Sequence, residues 1–233
     1  MKNYYIVLDT ETVNGIREID KNGKETLDLS QSLVYDIGWT VCDKKGHIVE
    51  KKSYIVEEIF MDYKELMKSG YYADKLETYW TEIWTRQRKC HRFAWIWADF
   101  RADCAKYDIK AIMAYNMRFD YRALQNTIRY LSKSKFRYFF PKDIEIWDIM
   151  KMFNTCIAKR KSYIDFCFEN GYTTKHKKPR PQVKAEVVYK YITPNKADFV
   201  ESHTGLEDAI IETAIFAYLN RQHKAMERKC FKD

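Results

Sequence analysis

Glycine and proline are scarce in this chain, 7 and 4 of 233 residues. That excludes a collagen-like or low-complexity protein and leaves no Pro/Gly/Ser-rich linker to divide the chain, so one domain over residues 1–233 is expected. The six cysteines (Cys42, Cys90, Cys104, Cys156, Cys167 and Cys230) form no CxxC pair. Their irregular spacing excludes the familiar zinc motifs and suits reduced thiols in the cytoplasm, the expected location. No stretch approaches the roughly 18 apolar residues of a membrane span, so no membrane partner is expected. The opening "MKNYYIVLDTE" meets a charge too early for a secretory signal.

What the chain does have is aromatic mass and positive charge. Hydrophobic residues make up 46% and aromatics 16%, enough for a sizeable core. The formal net charge is +8, which favours polyanionic partners through counterion release.

Tyr4 to Leu8 reads as a strand buried on both faces. Ser32–Asp43 and His47–Val56 follow as strands around the hairpin signal Lys44-Lys45-Gly46. Residues 57–108 read as an aromatic-rich helical insertion. Its tryptophans, Trp80 to Trp97, suit helix core by spacing and also suit a stacking platform for bases. Ala111–Asn116 returns to strand, Phe119–Leu131 to helix, and Ile144–Met150 passes from strand to helix. Ala185–Ile192 and Thr204–Arg221 are helical by period. Antiparallel strands first, then strands alternating with helices, predict an α/β fold with a mixed sheet covered by helices.

Three acidic segments stand at element ends. In "LDTET", Asp9 and Glu11 are two apart on an extended chain and point to one side. Two such carboxylates repel unless a divalent cation compensates them, and hard oxygen ligands suit Mg²⁺ or Mn²⁺. In "AYNMRFDYRAL", Asp120 sits at a helix start after a strand and the turn Asn116–Arg118. In "ESHTGLEDAIIE", Thr204 and Glu207 have capping-box spacing, which makes His203 the residue before the cap and Asp208 the fourth helical residue. Those positions meet across the first turn and usually carry an apolar pair; here they carry an imidazole and a carboxylate. Four carboxylates and one imidazole at a sheet edge fit a two-metal centre for in-line displacement at a phosphodiester.

These three motifs resemble those of the DEDDh 3′–5′ exonucleases, the proofreading-exonuclease family with an RNase H-like fold. The family reads DxE after the first strand (Asp9/Glu11), Asn-x-x-Phe-Asp in the middle (Asn116–Asp120) and a late His-x4-Asp (His203–Asp208). The last third is similar to bacterial and phage members, and Asp148 in "WDIMKMF" matches a supporting acid. The resemblance departs at Val13 and Asn14, where members often carry a glycine, and in the length of residues 57–108.

The resemblance implies a mixed five-stranded sheet, three antiparallel strands and then parallel ones. It implies that Asp9, Glu11, Asp120 and Asp208 hold two Mg²⁺ or Mn²⁺ ions and that His203 is the general base. Thr10, Thr12 and Asn116 would seat the terminal nucleotide, and Phe119 or Tyr121 would stack on a base, although Phe119 also suits the core; by position, Arg118 and Arg122 flank Asp120 and suit a phosphate contact. The expected substrate is single-stranded DNA or RNA, released as nucleoside 5′-monophosphates. A polymerase is an expected separate partner if the role is proofreading. Two alternatives stand beside this: a catalytically silent nucleic-acid-binding or inhibitory module, and a hydrolase of dinucleotides or signalling oligonucleotides. The basic run Thr174–Lys184 suits either a solvated loop or a phosphate contact.

Overall fold

The computed structural model describes residues 3–13, 17–19, 25–27, 31–61, 67–68, 73–196, 198–200 and 203–231. Asn14 and parts of the 57–108 segment lie outside the described residues. Strand β1 (Tyr4–Val13) pairs antiparallel with β4 (Leu33–Asp43), which pairs antiparallel with β5 (Ile48–Val56). Between β1 and β4, β2 (Arg17–Ile19) and β3 (Glu25–Leu27) form a separate two-stranded ribbon. Gly46 makes the β4–β5 turn with φ +83°, and a Cβ there would strike the Ala217 side chain at 2.6 Å.

The chain then runs through α1 (Glu57–Phe60), α2 (Leu76–Trp84), β6 (Lys89–His91) and α3 (Phe93–Lys106). Strand β7 (Ile109–Ala114) adds parallel to β1 and leads into α4 (Met117–Ser132). Strand β8 (Glu145–Asp148) adds parallel to β7 and continues into α5 (Ile149–Cys156). Helices α6 (Lys161–Glu169), α7 (Ala185–Ile192) and α8 (Gly205–Arg221) complete the fold. The sheet order is β6-β5-β4-β1-β7-β8.

The main sheet thus has six strands rather than five. The additional one, β6, is three residues of the 57–108 segment pairing parallel with Tyr54–Val56. Lys89-Cys90-His91 is too short and polar for its alternation to stand out, and only the neighbouring strand makes it one.

Residues Tyr5 to Leu8 are buried, and alternation divides them between two cores. Ile6 and Leu8 join Phe100, Leu124 and Ile128 on one face; Tyr5 and Val7 join Ile211, Ile215 and Phe216 on the other. Burial of each such side chain is worth about 1.5–3 kcal/mol. With helices filling both faces, the polar residues of β1 have room only at its C-terminal end. Within the insertion, Tyr79, Phe93, Ile96 and Phe100 enter the core, whereas Trp84 is 84% and Trp95 47% exposed. The tryptophans therefore divide between surface and partly buried positions, and the smaller aromatics carry the packing.

Candidate active site

Asp9 and Glu11 follow the last apolar residue of β1 on the α8 face of the sheet, while Thr10 between them turns toward α4. Asp9 lies opposite Gly38 and Glu11 opposite Asp36, with a register shift after Glu11. Gly38 has a specific purpose here. A Cβ on it would overlap the backbone of Gly205 and Leu206, and one on Gly205 would lie 2.6 Å from Gly38 N and 2.9 Å from Asp9 O. The pair of glycines lets the first turn of α8 rest directly on the sheet backbone beside Asp9.

That contact delivers the third motif. Thr204 is the N-cap in extended conformation, as its position in the sequence predicts, but its side chain makes no capping bond. His203 takes a left-handed conformation (φ 52°), and the chain turns there so that its imidazole faces Asp208. Ligand atoms of Glu11, His203 and Asp208 lie within 4.8 Å of one another. One turn along, Glu212 is 3% exposed and accepts a hydrogen bond from Tyr115 N at 2.9 Å.

The middle motif arrives from the other face. Asn116 adopts a left-handed conformation (φ 65°, ψ 48°) between β7 and α4, which turns the chain sharply. Asp120 in the first turn is 2% exposed. Thr10 holds it through its backbone N (3.1 Å) and its hydroxyl (2.7 Å), both donating to Oδ1. Asp148 caps α5, accepting from Lys151 N at 3.0 Å, and lies close enough to Asp120 to raise its pKa.

Asp9, Glu11, Asp120, His203, Asp208 and Glu212 line one cleft of about 800 Å³. Thr10, Asn116 and Phe119 line it too; Thr12 and Arg118 do not. Thr10 is already engaged with Asp120, so its hydroxyl acts on that carboxylate. Arg118 is exposed, with its guanidinium over the Phe231 ring. From the basic run, Thr174, Lys175 and Lys184 reach the cleft wall. Tyr115 ties that wall down by donating its hydroxyl to the Val183 carbonyl at 2.5 Å.

The electrostatics are those of a buried cluster of like charges. Burial and then repulsion from Glu212, Asp120, Glu11 and Asp208 raise Asp9 well above the carboxylate range. Burial, then Asp36 and Asp208, push Glu11 up to about 9. Burial pushes Asp120 up to about 7 against the two Thr10 hydrogen bonds. His203 is lowered, first by burial and then by Lys75 and Lys184, with Glu186 opposing. A cluster that resists ionisation in this way has one strong remedy, a multivalent cation among the oxygens.

Two buried acids at or beside the cleft escaped the sequence reading. Glu212 had a signal: it is four residues beyond Asp208 on a largely apolar helix, hence on the same face. Asp36 had none. It is fully buried beside Glu11 and accepts from Arg88 Nη1 (2.8 Å), Tyr79 Oη (2.8 Å) and Gly205 N (3.3 Å). Arg88 also bonds Glu82 at 2.7 Å, so this network fastens the 57–108 segment to the start of α8.

No family model and no curated protein matches the chain. Solved structures of E. coli Exonuclease I do align with it. The complex with a dA16 oligonucleotide is 15% identical with a TM-score of 0.52, covering 92% of this chain and 40% of that one. The zinc-ion-bound form with single-stranded DNA is 13% identical with a TM-score of 0.55, covering 96% and 41%. The complex with SSB-Ct is 13% identical with a TM-score of 0.51, covering 92% and 41%. The chain spans about two fifths of the length of these proteins, and what it shares with them is a mixed α/β fold.

Proposed function

We propose that this chain is a metal-dependent 3′–5′ exonuclease of the DEDDh type, acting on single-stranded nucleic acid and releasing nucleoside 5′-monophosphates. The observation that carries the reading is the convergence of five carboxylates and one imidazole, from β1, α4 and the start of α8, on one cleft. The likeness to Exonuclease I bound to single-stranded oligonucleotides supports the same substrate class.

The donor set fits a pair of Mg²⁺ or Mn²⁺ ions: all-oxygen, acid-rich, buried, and electrostatically unstable without positive charge. Asp9, Glu11, Asp120 and Asp208 would hold the cations, with Glu212 bordering them. When bound, the cations would acidify water and neutralise the phosphodiester. The residues of the chain do the rest. Thr10 fixes the Asp120 carboxylate. Lys184 and Lys175 draw the phosphate to the cleft wall. Asn116 and Phe119 border the space for the terminal nucleotide.

His203 takes the proton of the attacking water on an imidazole nitrogen. Its lowered pKa keeps it unprotonated and ready near neutral pH. Water oxygen bonds to phosphorus and the bond to the preceding 3′ oxygen breaks. That oxygen takes a proton from solvent, and His203 returns its own to solvent.

The test is digestion of 5′-labelled single-stranded DNA and RNA with Mg²⁺ or Mn²⁺. Shortening from the 3′ end, abolished by EDTA and lowered about 10²–10⁴-fold in His203→Ala, is expected. Binding without turnover in either metal would overturn the reading in favour of a silent module. Equal rates for wild type and His203→Ala would remove the imidazole from its role.

A further inference from the structure

A second surface on α4 is left unexplained by the cleft. Arg118, Tyr121, Arg122, Gln125, Asn126, Arg129 and Phe231 enclose a cavity of about 450 Å³ on the outer side of the helix. Positions 118, 122, 125 and 129 recur at helical spacing and form one stripe, and Arg118 to Arg129 spans about 16 Å at 1.5 Å per residue. No Asp or Glu lines it. Between Met117 and Lys142 the single acid is Asp120, which is buried against Thr10. None of the three arginines forms an ion pair among the described residues.

An ordinary protein surface intersperses the two signs. This one intersperses cations with rings instead. Arg118 lies 5.9 Å from the Phe231 centroid and Arg129 5.3 Å from that of Tyr138. Phe231 and Tyr138 are 41% and 44% exposed, and Phe136, between Lys135 and Arg137, is 86% exposed. Tyr121 is held flat on Phe140 at 4.9 Å and 7°, so its ring is fixed. Guanidinium groups alternating with aromatic faces match the phosphate and base of a single strand, since any base can stack and any phosphate can pair. An acidic peptide would use the charges and leave the rings without purpose.

The surface adjoins the cleft along the chain. Phe119 lines the cleft and its chain neighbour Arg118 lines the second cavity, so a strand leaving the cleft around the start of α4 meets the stripe directly.

We propose that the outer face of α4, with Phe231 and the 133–138 loop, is a second binding surface for single-stranded nucleic acid. It would hold the part of the strand away from the cleaved end. The proposal rests on the exonuclease reading for the direction of the strand, not for the binding itself.

The experiment compares wild type with the double variant Arg122→Glu/Arg129→Glu. The control, Arg221→Glu/Lys224→Glu, makes the same charge change beyond the other end of the sheet. Fluorescence anisotropy in EDTA, with a labelled single strand of about 20 nucleotides, reads binding without turnover. Affinity is expected to fall at least about tenfold in the α4 variant, with a salt slope shallower by about 1.4, as for two lost phosphate contacts. In Mn²⁺, the kcat/KM ratio of this strand over a dinucleotide is expected to fall in parallel. Unchanged affinity, an equal loss in the control, or displacement of the strand by an acidic peptide at equal charge concentration would overturn the proposal. Because anisotropy needs no hydrolysis, an inactive protein would sink the exonuclease reading while still deciding this one.

Discussion

Replacing Asp120 by Asn removes one negative charge from the cleft while keeping its shape. Asn Oδ1 can still accept from Thr10 N and Oγ1, which in the wild type donate at 3.1 and 2.7 Å. Burial raises the Asp120 pKa from 3.8 to about 7. At about 1.4 kcal/mol per unit, holding that carboxylate ionised near pH 8 costs the cation-free protein about 4 kcal/mol. Between the ordinary carboxylate range and about 7 the folded chain keeps a proton that the unfolded chain releases, so wild-type stability falls as pH rises. The Asn variant has no such proton. Its advantage should be near zero at about pH 4, grow through that window and level off above about pH 7.

Near pH 8 in EDTA, a gain of about 2–4 kcal/mol corresponds to a Tm higher by roughly 5–15 °C for a domain of this size. Saturating Mn²⁺ should reverse the order, because only the wild type retains the full set of ligands. At about 1,000 times Kd, cation binding adds about 4.1 kcal/mol, enough to offset that advantage. Differential scanning fluorimetry across pH, with and without Mn²⁺, measures both effects. An Asn variant no more stable than wild type in EDTA near pH 8, or an advantage independent of pH, would refute the electrostatic account of the cleft.

Gly38→Ala places a methyl group against the backbone of Gly205 and Leu206, so α8 must shift. A loss of about 1–3 kcal/mol is expected, together with weakened cation binding by calorimetry, since Asp208 and Glu212 move with the helix; wild-type values for both would mean that the contact does not position the site. Arg88→Ala leaves Asp36, fully buried, without its cation. Urea unfolding should show a loss of about 3–5 kcal/mol, and a loss below about 1 kcal/mol would show that the pair contributes little.

Much of the site was legible because it is encoded over short spans. Period-2 geometry put Asp9 and Glu11 on one side of "LDTET", and cap positions put His203 against Asp208; the structure brings both pairs into one cleft. The start of α8 was likewise readable, although Thr204 does not close the capping bond. Glu212 could have been read from its four-residue spacing to Asp208. Arg118 illustrates the opposite limit. Asn116, Phe119 and Asp120 line the cleft, but one helical step turns the Arg118 side chain out of it and into the second cavity on α4.

The sequence by itself determined which residues would end strands and begin helices, because period, turn chemistry and cap positions act within a few residues. Tertiary structure alone decided the sixth strand, the bonds of Asp36 to Arg88 and Tyr79, and the Gly38–Gly205 contact, which join positions from 35 to 167 apart. These depend on which surfaces meet once the two cores close. Three acidic segments with no local relation to one another become one centre only when the sheet brings β1 between α4 and α8.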